Sequence, residues 1–565
     1  MVMLNVIGRS QRGRTCEYSR GDSSIKTPYV VSSSGDAPVR LAMGDGGRTL
    51  RFFDTEIPID RKLLTSVSSK KDTEPSCVNG VCVVRLPFTG ECGIPDGADA
   101  VMVPNAFELR KDPRKLIDSV MKLREAAGYN RLLCMFGIAE PSTLSLLAYM
   151  GVDVFDDSLA KAAGTTKMRL IPEGEICTDT DVSSDNAADL GKECEKIITF
   201  TEAGRLRELV DQRAASSPSS TAALRIFDDS GYRYQEECCS TVGTRFSCNT
   251  TQALRRPDLK RYREKISERY KKPEHKRILL LLPCSAKKPY HISKTHKAFA
   301  FAIHTADHDT LVHEVIVTSP LGIVPRELDV FYPANSYDIP VTGEWKCQER
   351  EMIRTMVSGI LSQGYEKVIC HLGETAELVR DLAVMEETVV GDPTTPASLR
   401  NLDEALRRAA KGMEPADYAV ERIETVRSIL AFQFGRETAD VLMGNGSYAV
   451  GKFPYWKIMR DVPESKDKIQ LGMLTPERGM ISLTVEGAEI AAATGKNIVE
   501  MMDFEMKGNL FAIGVQNADP GIRPGDEAIV VLNGEVVAVG VAMMSGREMV
   551  DLKRGIAVKI RHKKK

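Results

Sequence analysis

Residues 283–296 read PCSAKKPYHISKTH and follow directly on the apolar run RILLLL. One thiol, three lysines, a tyrosine and two histidines therefore crowd the mouth of what reads as a buried strand. A thiolate beside proton donors is the equipment of covalent nucleophilic catalysis. Sulfur attacks an electrophilic carbon, and a neighbour protonates the charge that develops. Cys284 is the candidate nucleophile here, and Lys288, Tyr290 and His296 are the candidate donors. Lys287, Lys288 and a helix predicted to begin near Ser293 would favour the thiolate. Five of the eight histidines fall between 291 and 313, and spacing alone does not separate a catalytic histidine from one that pairs within the fold. The plain alternative is a polar loop with an incidental cysteine.

The elements that would position these groups are legible as three short apolar runs: RILLLLP (277–283), HEVIVTSP (313–320) and KVICHLG (367–373). Runs apolar on both faces, separated by helix-length stretches, predict buried parallel strands in a doubly wound α/β domain. Ligands in such sheets bind beyond the carboxyl ends of the strands. The runs end in Cys284, in Thr318 and Ser319, and in His371 and Glu374, so chemistry-bearing residues converge there.

Before this domain, ADAVMVPNAFEL, RLLCMFGIA and VDVFDD alternate with the helical patterns DPRKLIDSVMKLREAAGY and PSTLSLLAYMG. That rhythm suits a (β/α) barrel. The Ser/Asp-rich TDTDVSSDNAADLG reads as a loop. Between 415 and 480 a helix and strands suggest a small α+β unit. From 481, alternation, a PGD turn and an Asn-Gly hairpin signal predict a small β-barrel. The expected divisions are 1–254, 255–414, 415–480 and 481–565.

Composition sets the broader limits. A chain of 565 residues exceeds one core, and 42% hydrophobic with 27% charged residues is ordinary for a soluble globular protein. No apolar run reaches the roughly 20 residues of a membrane span, and the N-terminus lacks the apolar core of a signal peptide, so a cytoplasmic location is expected. Thirteen scattered cysteines are expected to remain thiols, without the spacing of a structural zinc site. The net charge of −2 is no footprint of a polyanion binder, yet two local patches are. Residues 255–277 hold 11 Lys/Arg against 4 Asp/Glu, and the chain finishes DLKRGIAVKIRHKKK. Nucleic-acid contact is expected, with Lys553, Arg554, Lys559 and Arg561 in the terminal patch.

PCSAKKPYHISKTH resembles the signature of the archaeosine synthase family, archaeal tRNA-modifying enzymes. The pattern of Pro-Cys, three residues, Lys-Pro-Tyr, two residues, Ser, two residues and His falls without a gap on Pro283, Cys284, Lys288, Pro289, Tyr290, Ser293 and His296. TSPLGIVPRELDVFYPANSYDIPVTGEW (318–345) is similar to a second family block, and the tail resembles a PUA RNA-binding domain. The N-terminal part resembles a degenerate tRNA-guanine transglycosylase barrel, with LAYMGVDVFDD matching the segment of the nucleophilic aspartate at Asp156. That family's zinc site needs three cysteines and a histidine, but no histidine precedes His275. Zinc and base exchange are not expected, no other cofactor is read, and the domain is taken as a tRNA or nucleobase holder in which Asp156 is a solvated or capping carboxylate.

The resemblance implies a substrate: tRNA carrying the nitrile-bearing deazaguanine preQ0 at position 15 of the D-loop. An amine, free lysine being the implied donor, would add across the nitrile to form an amidine, and a radical-SAM partner would complete archaeosine. Attack by Cys284 on the nitrile, or direct attack by the amine, remain alternatives. Ser319, Arg326, Asp338 and Glu344 in or beside the second block are expected to hold substrate, the two carboxylates facing the cationic amine donor. Two other readings stay open, a transglycosylase exchanging guanine for preQ0 and a non-catalytic tRNA-binding subunit. Oligomeric state is open between monomer and homo-oligomer.

Overall fold

The computed structural model describes residues 2–32, 37–44, 47–59, 75–88, 93–306, 309–340, 345–462 and 467–564. The chain divides into two units. One comprises Met1–Cys239, Asn509–Arg523 and Met544–Ala557, and the other Ser240–Gly508, Pro524–Met543 and Val558–Lys565. Each is mixed α/β. No helix among the described residues is long and apolar enough to cross a membrane.

The first unit opens with antiparallel sheets, Val2–Ser10, Gly13–Arg20 and Ser23–Thr27, then Val39–Gly44, Gly47–Phe52 and Thr55–Ile59. The parallel sheet also takes in strands that lie before the βα rhythm read from residue 98 onward. Its parallel strands are Tyr29–Val31, Val154–Asp156, Leu132–Met135, Ala100–Val103 and Val81–Val83 in spatial order, with Ser76–Val78 antiparallel on the edge. Among the described residues this sheet has five parallel strands, not a ring of eight. Ala100–Val103 and Leu132–Met135 are buried at every position, which is why they read as continuous apolar runs rather than alternation. The helix Pro113–Ala127 lies where the spacing placed it. The Asp112 side chain accepts from the Lys115 amide at 3.0 Å, Pro113 takes the first turn, and Gly128 ends it at φ 67°.

Two expectations fail in this unit. TDTDVSSDNAADLG is not a loop, because a helix runs Ser183–Glu202 through its second half. Its polar face misled the reading, for buried Asn186 is a bonded core residue. Asn186 accepts from the Leu170 amide and donates to the carbonyls of Ala160 and Met168, while Leu190, Cys194 and Ile197 continue one buried stripe. Nor are all cysteines thiols. Cys77 and Cys82 face each other across the hairpin of Ser76–Val78 and Val81–Val83 and are joined in a disulfide, because strand register brings together what sequence spacing does not mark.

Asp153 anchors this unit. Its carboxylate takes Arg14 Nε and Nη2 at 2.8 Å each, Arg124 Nη1 at 3.0 Å and the Leu133 amide at 2.9 Å, all buried. Burial alone would raise its pKa, but the two guanidiniums and the amide outweigh it and hold the carboxyl below the ordinary range. Asp153→Ala should cost about 3–5 kcal/mol, since two buried guanidiniums lose their counter-charge. Denaturant titration of the intact chain checks this, and a loss under about 1 kcal/mol would mean that water replaces the carboxylate. The depressed pKa also fixes a sign. The stabilisation is full above the unfolded-state pKa and is lost as pH falls through the folded one, so wild type should lose more stability on acidification than the variant.

In the second unit the central strand Ile278–Pro283 runs parallel to Val312–Thr318 on one side and Lys367–Cys370 on the other. Gly322–Pro325 adds an antiparallel edge, and Glu386–Glu387 closes the other side in parallel. The three apolar runs are thus neighbours in one sheet with their carboxyl ends aligned. The basic stretch 255–277 is largely internal. In the helix Pro257–Glu268 Leu259, Tyr262 and Ile266 are buried, Arg256 pairs with buried Asp258, Lys276 with Glu421, and Arg277 with Glu366. Most of its charge serves the fold rather than a polyanion.

Ser447–Lys452, Tyr455–Asp461, Lys468–Thr475 and Met480–Leu483 form a four-stranded antiparallel sheet. Beyond it, Glu527–Leu532 pairs with Ile498–Met501 and with Glu535–Ala542, which in turn pairs with Ile556–Lys563. The Asn533-Gly534 signal is a two-residue turn with both residues at positive φ, 52° and 84°. The tail is not all strands, since helices Val485–Ala492 and Gly546–Asp551 interrupt it. Arg561, expected to meet RNA, is committed to buried Glu527 at 2.6 Å and to the Leu483 carbonyl at 2.7 Å. Lys553, Arg554 and Lys559 are exposed.

Candidate active site

A cavity of about 390 Å³ opens at the carboxyl end of the central sheet in the second unit. Each of the three aligned strands feeds it, through Cys284, through Thr318 and through Thr375 just beyond the third. Cys284 leaves the buried run Ile278–Leu282 and is only half-buried, so its sulfur reaches the cavity from a rigid element. Lys288 lines the same wall, its Nζ 4.0 Å from the centre of the buried Tyr337 ring. Burial lowers the Lys288 pKa below the ordinary lysine value, with Arg245 acting in the same direction and Cys284 and Asp338 opposing. An ammonium whose proton comes off more readily than usual is a better proton donor than an ordinary lysine.

Other motif residues stand behind this pair. Tyr290 is fully buried, its hydroxyl bonded to that of Tyr337 and 3.4 Å from Thr318 Oγ1. Burial first, and Cys284 next, push its pKa up. Ser293 caps the helix Lys294–Thr305, its side chain accepting from the His296 amide at 3.1 Å. His291 is tied by its amide and Nδ1 to buried Asp329. His296 is buried, with Arg326 Nη2 donating to Nδ1 at 2.7 Å. Burial and then Arg326 push its pKa down to about 3 against the Pro283 carbonyl. The ring is therefore neutral with its proton on Nε2, because a guanidinium can only donate. None of these four lines the cavity, and Tyr290, Ser293 and His296 are turned into the core.

The second block divides in the same way. Asp338 lines the cavity but pairs with Arg245 at 2.5 Å. Arg326 does not reach it, being held by Glu314 at 2.7 Å and Asp329 at 3.4 Å and supporting His296. Ser319 is buried beneath the floor and donates to Glu349 Oε1 at 2.5 Å. Glu344 lies outside the described residues. In the first unit Asp156 is 3% exposed, so it is not solvated. Its Oδ1 accepts from the Gly137 amide at 2.6 Å and burial raises its pKa. Among the described residues no group of three or more His, Cys, Asp or Glu side chains is arranged to hold a metal.

Sequence reasoning missed half the cavity. Cys248, Asn249, Thr250, Thr251 and Leu254 line it from the stretch assigned to the first domain, because the two-residue strand Phe246–Ser247 pairs in parallel with Tyr337–Asp338. A two-residue strand leaves no periodicity to detect. Trp345, Lys346 and Glu349 enter at the start of the helix Cys347–Leu361, where the only signal was a tryptophan, one of two in the chain.

Residues 259–406, which carry the central sheet, match a family model described only as a domain of unknown function (DUF5591), and residues 499–564 match the PUA domain. The chain is 35% identical over 462 residues to the archaeosine synthase subunit alpha of Thermoplasma acidophilum, covering 82% of this chain and 87% of the relative. It is 32% identical over 500 residues to the archaeosine synthase of Haloferax volcanii, covering 82% of each. A tRNA-guanine(15) transglycosylase of Methanobrevibacter smithii is 24% identical, covering 79% of this chain and 69% of the relative. By its identity to these relatives over most of its length, and theirs over most of its own, the chain belongs to the archaeosine synthase family.

Proposed function

We propose that this protein is a tRNA-modifying enzyme that adds a free amine to the nitrile of preQ0 at position 15 of tRNA, forming an amidine on the route to archaeosine. The observation that carries the reading is the sharing of one cavity by Cys284, Lys288 and the carboxylates Asp338 and Glu349. The thiolate attacks the nitrile carbon, and Lys288 gives its proton to the nitrile nitrogen, leaving a thioimidate. The amine attacks the same carbon, its proton returns to Lys288, and collapse expels the Cys284 thiolate. Free lysine is the donor that family resemblance implies, and a radical-SAM partner would act on its adduct. The test is mass spectrometry of nucleosides after incubating the protein with preQ0-tRNA and each candidate amine. The absence of a new adduct with every amine would sink the reading.

The remaining regions take supporting roles in this proposal. The first unit, read as a degenerate transglycosylase-type barrel, holds tRNA or its base without exchange chemistry. A base-exchanging reading has support from the transglycosylase relative and from buried Asp156, but the acid that acts on it, its chain neighbour Asp157, is itself paired with Lys161 at 2.8 Å. The C-terminal segment contributes RNA affinity through Lys553, Arg554 and Lys559. It is not cleanly removable, because two of its stretches belong to the first unit, where Glu548 pairs with Arg9 at 3.0 Å and Arg523 with Glu236 at 2.8 Å. Point changes are the better probe. Replacing all three cations by alanine should weaken tRNA binding and reduce the slope of log affinity against log salt by about 2–3. An unchanged slope would remove them from the interface.

A further inference from the structure

We propose that Lys346 and Glu349 form a clamp for the head group of an α-amino acid, so that the cavity selects a zwitterionic amine donor. The proposal rests on the reading of this cavity as the amine-addition site. The cavity is lined by two cationic and two acidic side chains. Two of the four are occupied, Asp338 by Arg245 and Lys288 by the Tyr337 ring. Lys346 and Glu349 make no ion pair among the described residues, although they lie three positions apart at the start of one helix. The Glu349 carboxylate is nonetheless fixed, taking the Ser319 hydroxyl at 2.5 Å and the Lys346 amide at 2.9 Å. Ser319 is fully buried at the end of the sheet, so the carboxylate is anchored to the same rigid element that carries the reacting groups.

A carboxylate with two donors in place retains acceptor capacity for an ammonium. A cation and an anion that line one cavity from the same helix start without an ion pair between them are complementary to one compact ligand type, an ammonium and a carboxylate on the same carbon. A simple diamine would set a cation against Lys346, and an amino acid lacking its α-amine would leave Glu349 without a counter-charge. The cavity walls between charged groups include Leu254, Ile339, Pro340 and Trp345, which suit a hydrocarbon chain carrying the reacting amine. Ser319 is then a positioning residue acting through Glu349.

The test is equilibrium binding of L-lysine, 1,5-diaminopentane and 6-aminohexanoate to the full chain, measured by calorimetry. Wild type should bind lysine at least about tenfold more tightly than either analogue, the size of one charge-assisted hydrogen bond. Lys346→Met should collapse the preference over the diamine while keeping that over 6-aminohexanoate, and Glu349→Gln should do the reverse. Ser319→Ala, which keeps the Glu349 charge but loosens it, should narrow only the second ratio. Wild-type indifference among the three ligands, or ratios unchanged in all variants, overturns the clamp. Binding ratios as expected with no adduct on preQ0-tRNA would sink the amine-addition reading and leave the clamp standing.

Discussion

Cys284→Ala is expected to abolish adduct formation, lowering turnover on the order of 10⁴-fold or more while tRNA affinity stays nearly intact. The size follows from losing a group that forms and breaks a bond to the reacting carbon, where single deletions remove almost the whole catalytic advantage. The selectivity of the effect follows from placement. Cys284 lies at a strand end in a cavity of about 390 Å³, remote in sequence from the exposed Lys553, Arg554 and Lys559. Single-turnover assays with preQ0-tRNA and lysine measure the loss, and acid quench of wild type with preQ0-tRNA alone should leave the deazaguanine fragment on the Cys284 peptide, joined as a thioimidate through the former nitrile carbon. A variant that retains turnover within about tenfold would rule out the covalent route and favour direct attack by the amine.

Lys288→Met should lower the rate by about 10²–10⁴-fold, the usual range for removing a positioned proton donor. The pH dependence separates that role from simple packing against Tyr337. Lys288 donates only when protonated, and burial has moved its pKa below the ordinary lysine value. Wild-type turnover should therefore fall as pH rises through this lowered pKa, at a lower pH than an unperturbed lysine would produce. Lys288→Arg keeps a cation over the ring but does not deprotonate in this range, so its alkaline limb should move up or vanish even if its maximal rate is lower. An alkaline limb in the same place for wild type and Lys288→Arg would assign that ionisation to another group. The neighbouring donors are poorer choices. His296 is held neutral by a pKa near 3, and Tyr290 is buried with its pKa raised.

Features of this protein that depend on near neighbours along the chain were legible before the fold was known. Continuous apolar runs become buried parallel strands because both faces of each must be covered, which made Ile278–Leu282 and its partners readable. Cys284 and Lys288 follow one of these strands within a few residues, so local chain geometry was enough to place them at its mouth. Asp112 before Pro113, and Asn533-Gly534, mark a helix start and a hairpin because capping and positive φ are local demands.

Tertiary structure decided which polar groups serve chemistry and which serve the fold. Arg326, Ser293 and His296 looked functional in sequence, but Glu314 holds Arg326, the His296 amide takes up Ser293, and Arg326 in turn fixes His296 through Nδ1 in the core. Arg561 is drawn to Glu527, and Arg256, Lys276 and Arg277 of the basic stretch to Asp258, Glu421 and Glu366, because a buried or half-buried charge must find its counter-charge wherever the fold brings one. Glu349 gains its place through Ser319, 30 positions earlier, and Cys248 through a two-residue strand pairing with Tyr337–Asp338. Such contacts are set by strand register and packing over long separations, and no periodicity or spacing in the sequence encodes them.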